Sequence, residues 1–122
     1  MTTRLVLGVG SLGRPLVDDL AERRGSLTIV TDDEHRIDTL RADGITVVAR
    51  DPTDRSVLDD LDVAPDTVIV ACDDPERNRS LVETAAAVFP AAFLLAYTGR
   101  AATTQQRDRI AAAADEVVDR DD

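Results

Sequence analysis

Arg4-Leu5-Val6-Leu7-Gly8-Val9-Gly10-Ser11-Leu12-Gly13-Arg14 is the stretch whose reading decides the fold. Leu5-Val6-Leu7 is a short apolar run, the pattern of a strand buried on both faces of a parallel sheet. It runs directly into Gly8, Gly10 and Gly13, spaced as G-x-G-x-x-G. Beyond them, Leu12, Leu16, Val17 and Leu20 fall on one face of a helix over 11–24, and Gly25 closes it. The first glycine permits a tight turn, the second lets a pyrophosphate approach the backbone, and the third lets helix and strand pack closely. Phosphates would rest on the free N–H groups and positive end of the helix that starts near Ser11. Arg14, in its first turn, adds a cation. The loop Gly8-Val9-Gly10-Ser11-Leu12-Gly13 is therefore a candidate cradle for an adenine nucleotide. A purely structural glycine turn is the competing reading, and the strand–turn–helix setting weighs against it.

Outward from this stretch, apolar runs alternate with helical periodicity. Leu27 to Val30 reads as a second strand, and Asp33 caps a helix to about Asp43 with Ile37 and Leu40 inward and Gly44 ending it. Ile45 to Ala49 is strand three, and Asp54 caps a short helix carrying Val57, Leu58 and Leu61. Thr67 to Ala71 is strand four. Asp74-Pro75 opens a long helix with Leu81, Val82, Ala85 and Val88 inward, ended by Phe89-Pro90. Ala92 to Ala96 is strand five, a polar helix runs from about Ala101 to Ala114, and Val117-Val118 forms a short sixth strand. Repeated βαβ units predict one α/β domain over 1–122. Its fold would be of the Rossmann type: three layers, a mostly parallel sheet of about six strands, and helices on both faces. Phe93, Leu95 and Tyr97 are assigned to the core. The ending Asp119-Arg120-Asp121-Asp122 has no cap or apolar anchor, which reads as the N-terminal fragment of a longer chain.

A nucleotide on such a domain usually meets an acid at the end of strand two, about 20 residues past the glycines, which holds the ribose hydroxyls. That position falls on Thr31, with Asp32 and Asp33 next. Asp32 would reach the ribose from one residue later, or Thr31 would give a weaker hydrogen bond; Asp33 reads as the helix cap. No basic residue follows directly, which disfavours NADP. Asp51 follows strand three, where a side chain reaches the adenine edge or merely shapes the turn Asp51-Pro52-Thr53-Asp54. Cys72 and Asp73 follow strand four at the rim where open α/β sheets bind ligands, though a Cys there is equally a small buried apolar residue. Asn78 and Arg79, a turn into the next helix, face either the nucleotide or merely solvent. His35, the only histidine, reads as a surface residue.

Composition narrows the function classes. Fourteen basic residues against 24 acidic ones give a net charge of −10. Every basic residue is Arg, with no Lys, and Asp far outnumbers Glu. Such a surface repels a nucleic-acid backbone, so no nucleic-acid partner is expected. It reads as a solvated acidic coat suited to a high-salt cytoplasm. A lone Cys72 gives no disulfide framework, and no Cys and His cluster offers a metal site. The apolar runs fall short of the roughly 20 residues of a membrane helix, so direct membrane insertion is not expected. A cytoplasmic location follows. No nucleophile elbow is present, nor a second domain to hold a substrate over a nicotinamide ring.

Several segments, in order, resemble one family. Arg4 to Arg14 resembles the opening of the TrkA-N (RCK N-terminal) domains, nucleotide-binding regulatory modules of potassium channels and transporters. Arg50-Asp51-Pro52-Thr53-Asp54 is similar to that family's Gly-Asp-Ala-Thr-Asp segment. Val68-Ile69-Val70-Ala71-Cys72-Asp73-Asp74 with Asn78 is similar to its Val-Ile-Val-Ala-Thr-Asp-Asp stretch ending in Asn. Ala114-Asp115-Glu116-Val117-Val118 is similar to its close. The resemblance implies a six-stranded Rossmann domain binding NAD(H), or AMP, ADP or ATP, as a face-to-face homodimer that couples nucleotide state to a partner. By position, Gly8, Gly10, Gly13 and Arg14 would meet phosphate, Asp51 the adenine, and Cys72 and Asp73 the phosphate and ribose side. Thr31 departs from the family's ribose-binding acid, and Arg50 and Cys72 replace a Gly and a Thr.

A second architecture shares these marks. Leu94-Leu95-Ala96-Tyr97-Thr98-Gly99 and Asp73-Asp74-Pro75-Glu76-Arg77-Asn78 resemble the N-terminal domain of archaeal DHH-type, exopolyphosphatase-related phosphoesterases. The Lys-free, Asp-rich composition resembles that of a halophilic archaeon. Three functions are therefore weighed. The first is a regulatory domain acting on a potassium transport protein or an attached domain. The second is the non-catalytic N-terminal domain of a phosphoesterase, and the weakest is an NAD-dependent oxidoreductase. No catalytic residue is assigned.

Overall fold

A computed structural model describes residues 3–9, 22, 25–61, 63–72, 74–99 and 102–119. Strand β1 (Thr3–Val9) carries Leu5, Val6 and Leu7, all fully buried, as a strand covered on both faces must. β2 (Ser26–Val30) leads through Asp33 into helix α1 (Glu34–Ala42), and β3 (Thr46–Val48) follows. The short α2 (Arg55–Asp59), β4 (Thr67–Ala71), the long α3 (Pro75–Val88), β5 (Phe93–Thr98), α4 (Thr104–Ala113) and β6 (Glu116–Asp119) complete the order. The helix expected over 11–24 lies outside the described residues.

All six strands join one sheet in the order β3-β2-β1-β4-β5-β6, and every neighbouring pair is parallel. Alternation along the strands divides the core into two layers. On one face, Leu5, Leu7, Val68, Val70, Leu94 and Ala96 pack under α2, α3 and α4 through Val57, Leu58, Leu81, Val82, Ala85 and Ile110. On the other, Val6, Ile29, Val47, Ile69 and Tyr97 pack with Ile37 and Leu40 of α1. This is the three-layer Rossmann architecture that the sequence predicts.

The boundaries differ in ways that have causes. β5 runs on through Tyr97 and Thr98, whose polar tips hide that both are buried. β3 is shorter than the Ile45 to Ala49 run. α4 starts at Thr104 because Thr103 accepts from the Gln106 backbone N–H while the Gln106 side chain accepts from Thr103 N–H, a capping box. Phe93 does not join the core: at the first position of β5 it is 47% exposed, whereas Tyr97 is buried.

Candidate functional site

The order of strands puts β1 between β2 and β4, so the strand order reverses there. The carboxyl ends at this topological switch point are where such sheets place their ligand crevice. Gly8 lies next to the last residue of β1 with φ +69°. That backbone suits glycine alone among common residues, and the pairing of β1 with β4 shifts register between Leu7 and Val9 to make room for it. A Cβ on Gly8 would stand 3.3 Å from Leu81 Cδ1 and 3.4 Å from Cys72 Cβ. The glycine therefore lets β1 close against the end of β4 and the body of α3.

Thr31, at the end of β2, is buried, and its hydroxyl accepts from the Asp33 backbone N–H at 3.2 Å. That bond ties its oxygen to the turn into α1 and leaves its O–H a donor. Asp33 is the N-cap of α1, accepting from His35 N–H. Asp32, between them, points outward and is exposed. Asp51 follows β3 and accepts from the backbone N–H of Thr53 at 2.9 Å and its hydroxyl at 2.7 Å. Asp51 therefore shapes the turn, and the same oxygen also accepts from a side chain outside it.

Both acids meet Arg77. Its Nη2 donates to Asp32 Oδ1 at 2.9 Å and to Asp51 Oδ1 at 3.1 Å. Three elements thus converge on one nitrogen: the ends of β2 and β3, and the first turn of α3. The Thr53 bonds, with Arg77 adding charge, hold the Asp51 carboxyl below its ordinary value. Burial works against the Arg77 charge, but the bond to Asp32 and the nearby Asp51 outweigh it and raise its pKa. Sequence reasoning missed Arg77. It looked for a cation directly after β2, and this one arrives from 45 residues away.

Asn78 and Arg79 both lie in the first half of α3. Asn78 is 2% exposed. Its Oδ1 accepts from Cys72 N–H at 3.0 Å and its Nδ2 donates to the Tyr97 carbonyl at 2.7 Å, tying the ends of β4 and β5 together. Arg79 is engaged along its own helix, with Glu76 and, at 2.7 Å, with Glu83. Neither faces the crevice as a free donor. Cys72 is half-buried at the end of β4. Gly10, Ser11, Leu12, Gly13, Arg14 and Asp73 lie outside the described residues.

Room for a ligand is uneven around the rim. The gap between the ends of β4 and β5, lined by Cys72, Pro75, Asn78, Thr98 and Gly99, holds only about 10 Å³. That is about one water. A groove of about 390 Å³ lies at the opposite end of the sheet, walled by Leu61, Pro65, Val88 and Phe89. It is apolar and far from the converging donors and acceptors. The chemistry gathers over β1, β2 and β3.

Fold and crevice together define a Rossmann-type domain with its polar groups collected at the switch point. The TrkA-N domain model matches residues 4–119, and the chain belongs to that family. Among solved structures it is similar to the TrkA-N domain of the inner membrane protein ybaL from Escherichia coli, at TM-score 0.81 and 19% identity, covering 96% of this chain and 86% of that one. The NAD(P)-binding domain of an exopolyphosphatase-related protein from Archaeoglobus fulgidus gives TM-score 0.75 and 23% identity, covering 97% and 87%. These two likenesses are of fold. The GsuK channel bound to NAD gives TM-score 0.77 and 25% identity, covering 96% of this chain and 21% of that one. The same channel is also known bound to ADP. The uncharacterized protein MJ1633 of Methanocaldococcus jannaschii is 29% identical over 92 residues. That match covers 75% of this chain but only 19% of the relative, so the chain spans about a fifth of that protein.

Proposed function

We propose that this chain is a regulatory nucleotide-binding domain. An adenine nucleotide, whether NAD(H), AMP, ADP or ATP, lies across the carboxyl ends of β1, β2 and β3. Its phosphates rest on Gly8, Gly10, Ser11, Leu12, Gly13 and Arg14, with Cys72 and Asp73 beside them, and its adenosine reaches toward Asp32 and Asp51. The observation that carries this reading is the convergence of Asp32 and Asp51, from the ends of β2 and β3, on Arg77, with β1 and its left-handed Gly8 as the next strand of the sheet. Thr31 is buried with its hydroxyl oxygen on the Asp33 N–H, so it offers the ribose its O–H proton alone. NADP fits less well, because a 2′-phosphate would face two carboxylates as well as Arg77. Occupancy would govern an associated potassium transport protein or an attached domain, with the domain acting as a cytoplasmic homodimer. Family membership and the NAD- and ADP-bound GsuK channel support this. No helix among the described residues is long and apolar enough to cross a membrane.

Calorimetric titration in molar KCl with NAD, NADH, NADP, AMP, ADP and ATP tests the reading. Micromolar binding of one nucleotide, lost in Gly10→Asp, supports it. No heat from folded protein with any of the six sinks it.

A second reading, the non-catalytic N-terminal domain of an exopolyphosphatase-related phosphoesterase, draws support from the Archaeoglobus fulgidus likeness and from the much longer Methanocaldococcus relative. Reading the genomic frame past the Asp122 codon separates the two. A continuation carrying an Asp-His-His motif favours the phosphoesterase parent.

A further inference from the structure

Resting on the nucleotide reading, we infer that Arg77 gates the adenosine end of the site: its guanidinium bonds the same two carboxylates that an adenosine would need, so ligand and Arg77 compete for them. A nitrogen 2.9 Å from Asp32 Oδ1 and 3.1 Å from Asp51 Oδ1 fills the space between those oxygens. A ribose or purine spanning from one acid to the other must pass through that volume. The guanidinium has to leave at least one carboxylate before the ligand can settle.

Two features show that the bridge can be released at small cost. All three side chains are part-exposed, at 35% for Arg77, 45% for Asp32 and 50% for Asp51, so the pairs are weak and screened by salt. Moreover, the loops keep their shape without Arg77. Asp51 is held by Thr53, and the turn at Asp32 is held by the Thr31 hydroxyl and the Asp33 cap. The bridge closes a preformed mouth rather than building it. The ligand that opens it offers neutral donors in place of charged ones: a ribose diol for Asp32 and an amino group for Asp51.

Adenosine separates this gating from attraction of phosphate, because it carries no charge at neutral pH. Its affinity is measured by chemical-shift titration of the wild-type protein and Arg77→Met, at the lowest KCl that keeps the amide spectrum folded and again in molar KCl. AMP and NAD are titrated into the wild type in parallel. At the lower salt, R77M binds adenosine about threefold more tightly than the wild type, the size that part-exposed pairs allow. The difference narrows in molar KCl because only the wild type gains from screening of the bridge. Equal or weaker adenosine binding by R77M, with AMP or NAD still binding the wild type, overturns the inference and leaves the nucleotide reading standing. If folded wild type binds none of the three ligands, the nucleotide reading falls and the gate with it. Should R77M not fold, the wild-type salt series decides: adenosine affinity rising with KCl supports the gate, and a flat or falling series overturns it.

Discussion

At the scale of single residues, Gly8 and Asn78 do related work from opposite sides of β4. Gly8 combines φ +69° with a close approach to Leu81 and Cys72. Gly8→Ala should cost about 1–3 kcal/mol, from the left-handed backbone and the crowding of the Leu81 side chain; urea unfolding measures it. Asn78→Ala leaves the Cys72 N–H and the Tyr97 carbonyl without their side-chain partner in a buried place. It should cost about 2–4 kcal/mol by the same assay, and an Asn78→Ala variant as stable as wild type would refute the tie. Asp51 adds a pH dependence. Its folded pKa lies below the ordinary 3.8, so its contribution is fully present above that value and lost as pH falls through the folded one. Asp51→Asn lacks the contribution. The stability gap between wild type and D51N should therefore be constant near neutrality and close as the solution is acidified through the carboxylate range. Rim residues such as Gly8, Asp32, Asp51 and Cys72 were legible as candidates because strand ends are. Asn78 was legible as a candidate but its tie between β4 and β5 was not, and Arg77 was not singled out, for a side chain inside a helix shows its reach only once the strand order is known.

At the scale of elements, the helices among the described residues begin in the same way. Asp33, Asp54, Asp74 and Thr103 each accept from a backbone N–H two or three residues on. The three Asp caps stand out in the sequence because each precedes a periodic apolar pattern. Thr103 was passed over because an alanine-rich run drew the helix start back toward Ala101, although Thr103 and Gln106 have capping-box spacing. Asp74 matters most to the site, since its carboxylate accepts from both Glu76 and Arg77 N–H groups in the turn that carries the Arg77 guanidinium. Asp74→Ala should cost about 1 kcal/mol and raise amide exchange in the first turn of α3 before the rest of the helix. Uniform exchange along α3 would argue against a local role for this cap. Strand ends proved harder to read than helix starts. Tyr97 and Thr98 are buried, so polarity there did not mark the end of β5.

At the scale of the whole molecule, a net charge of −10 on a small domain works against compactness. The thermal midpoint should rise as KCl is increased toward molar, and a midpoint that falls over that range would refute self-repulsion as the governing term. Topology was legible because short apolar runs separated by capped helices admit few arrangements other than a wound parallel sheet. The crevice was legible only in outline, since its convergence joins side chains from β2, β3 and α3 that no local pattern links. The parallel order carries a consequence for how the protein is made. β1 leaves the ribosome first, yet one of its two flanking neighbours, β4, begins at Thr67. Until that strand and α3 have emerged, the turn at Gly8 lacks Cys72 and Leu81 beside it, and Asp32 and Asp51 lack Arg77. The nascent first half therefore presents Gly8, Asp32 and Asp51 without their later partners, and those contacts form only when the second half docks.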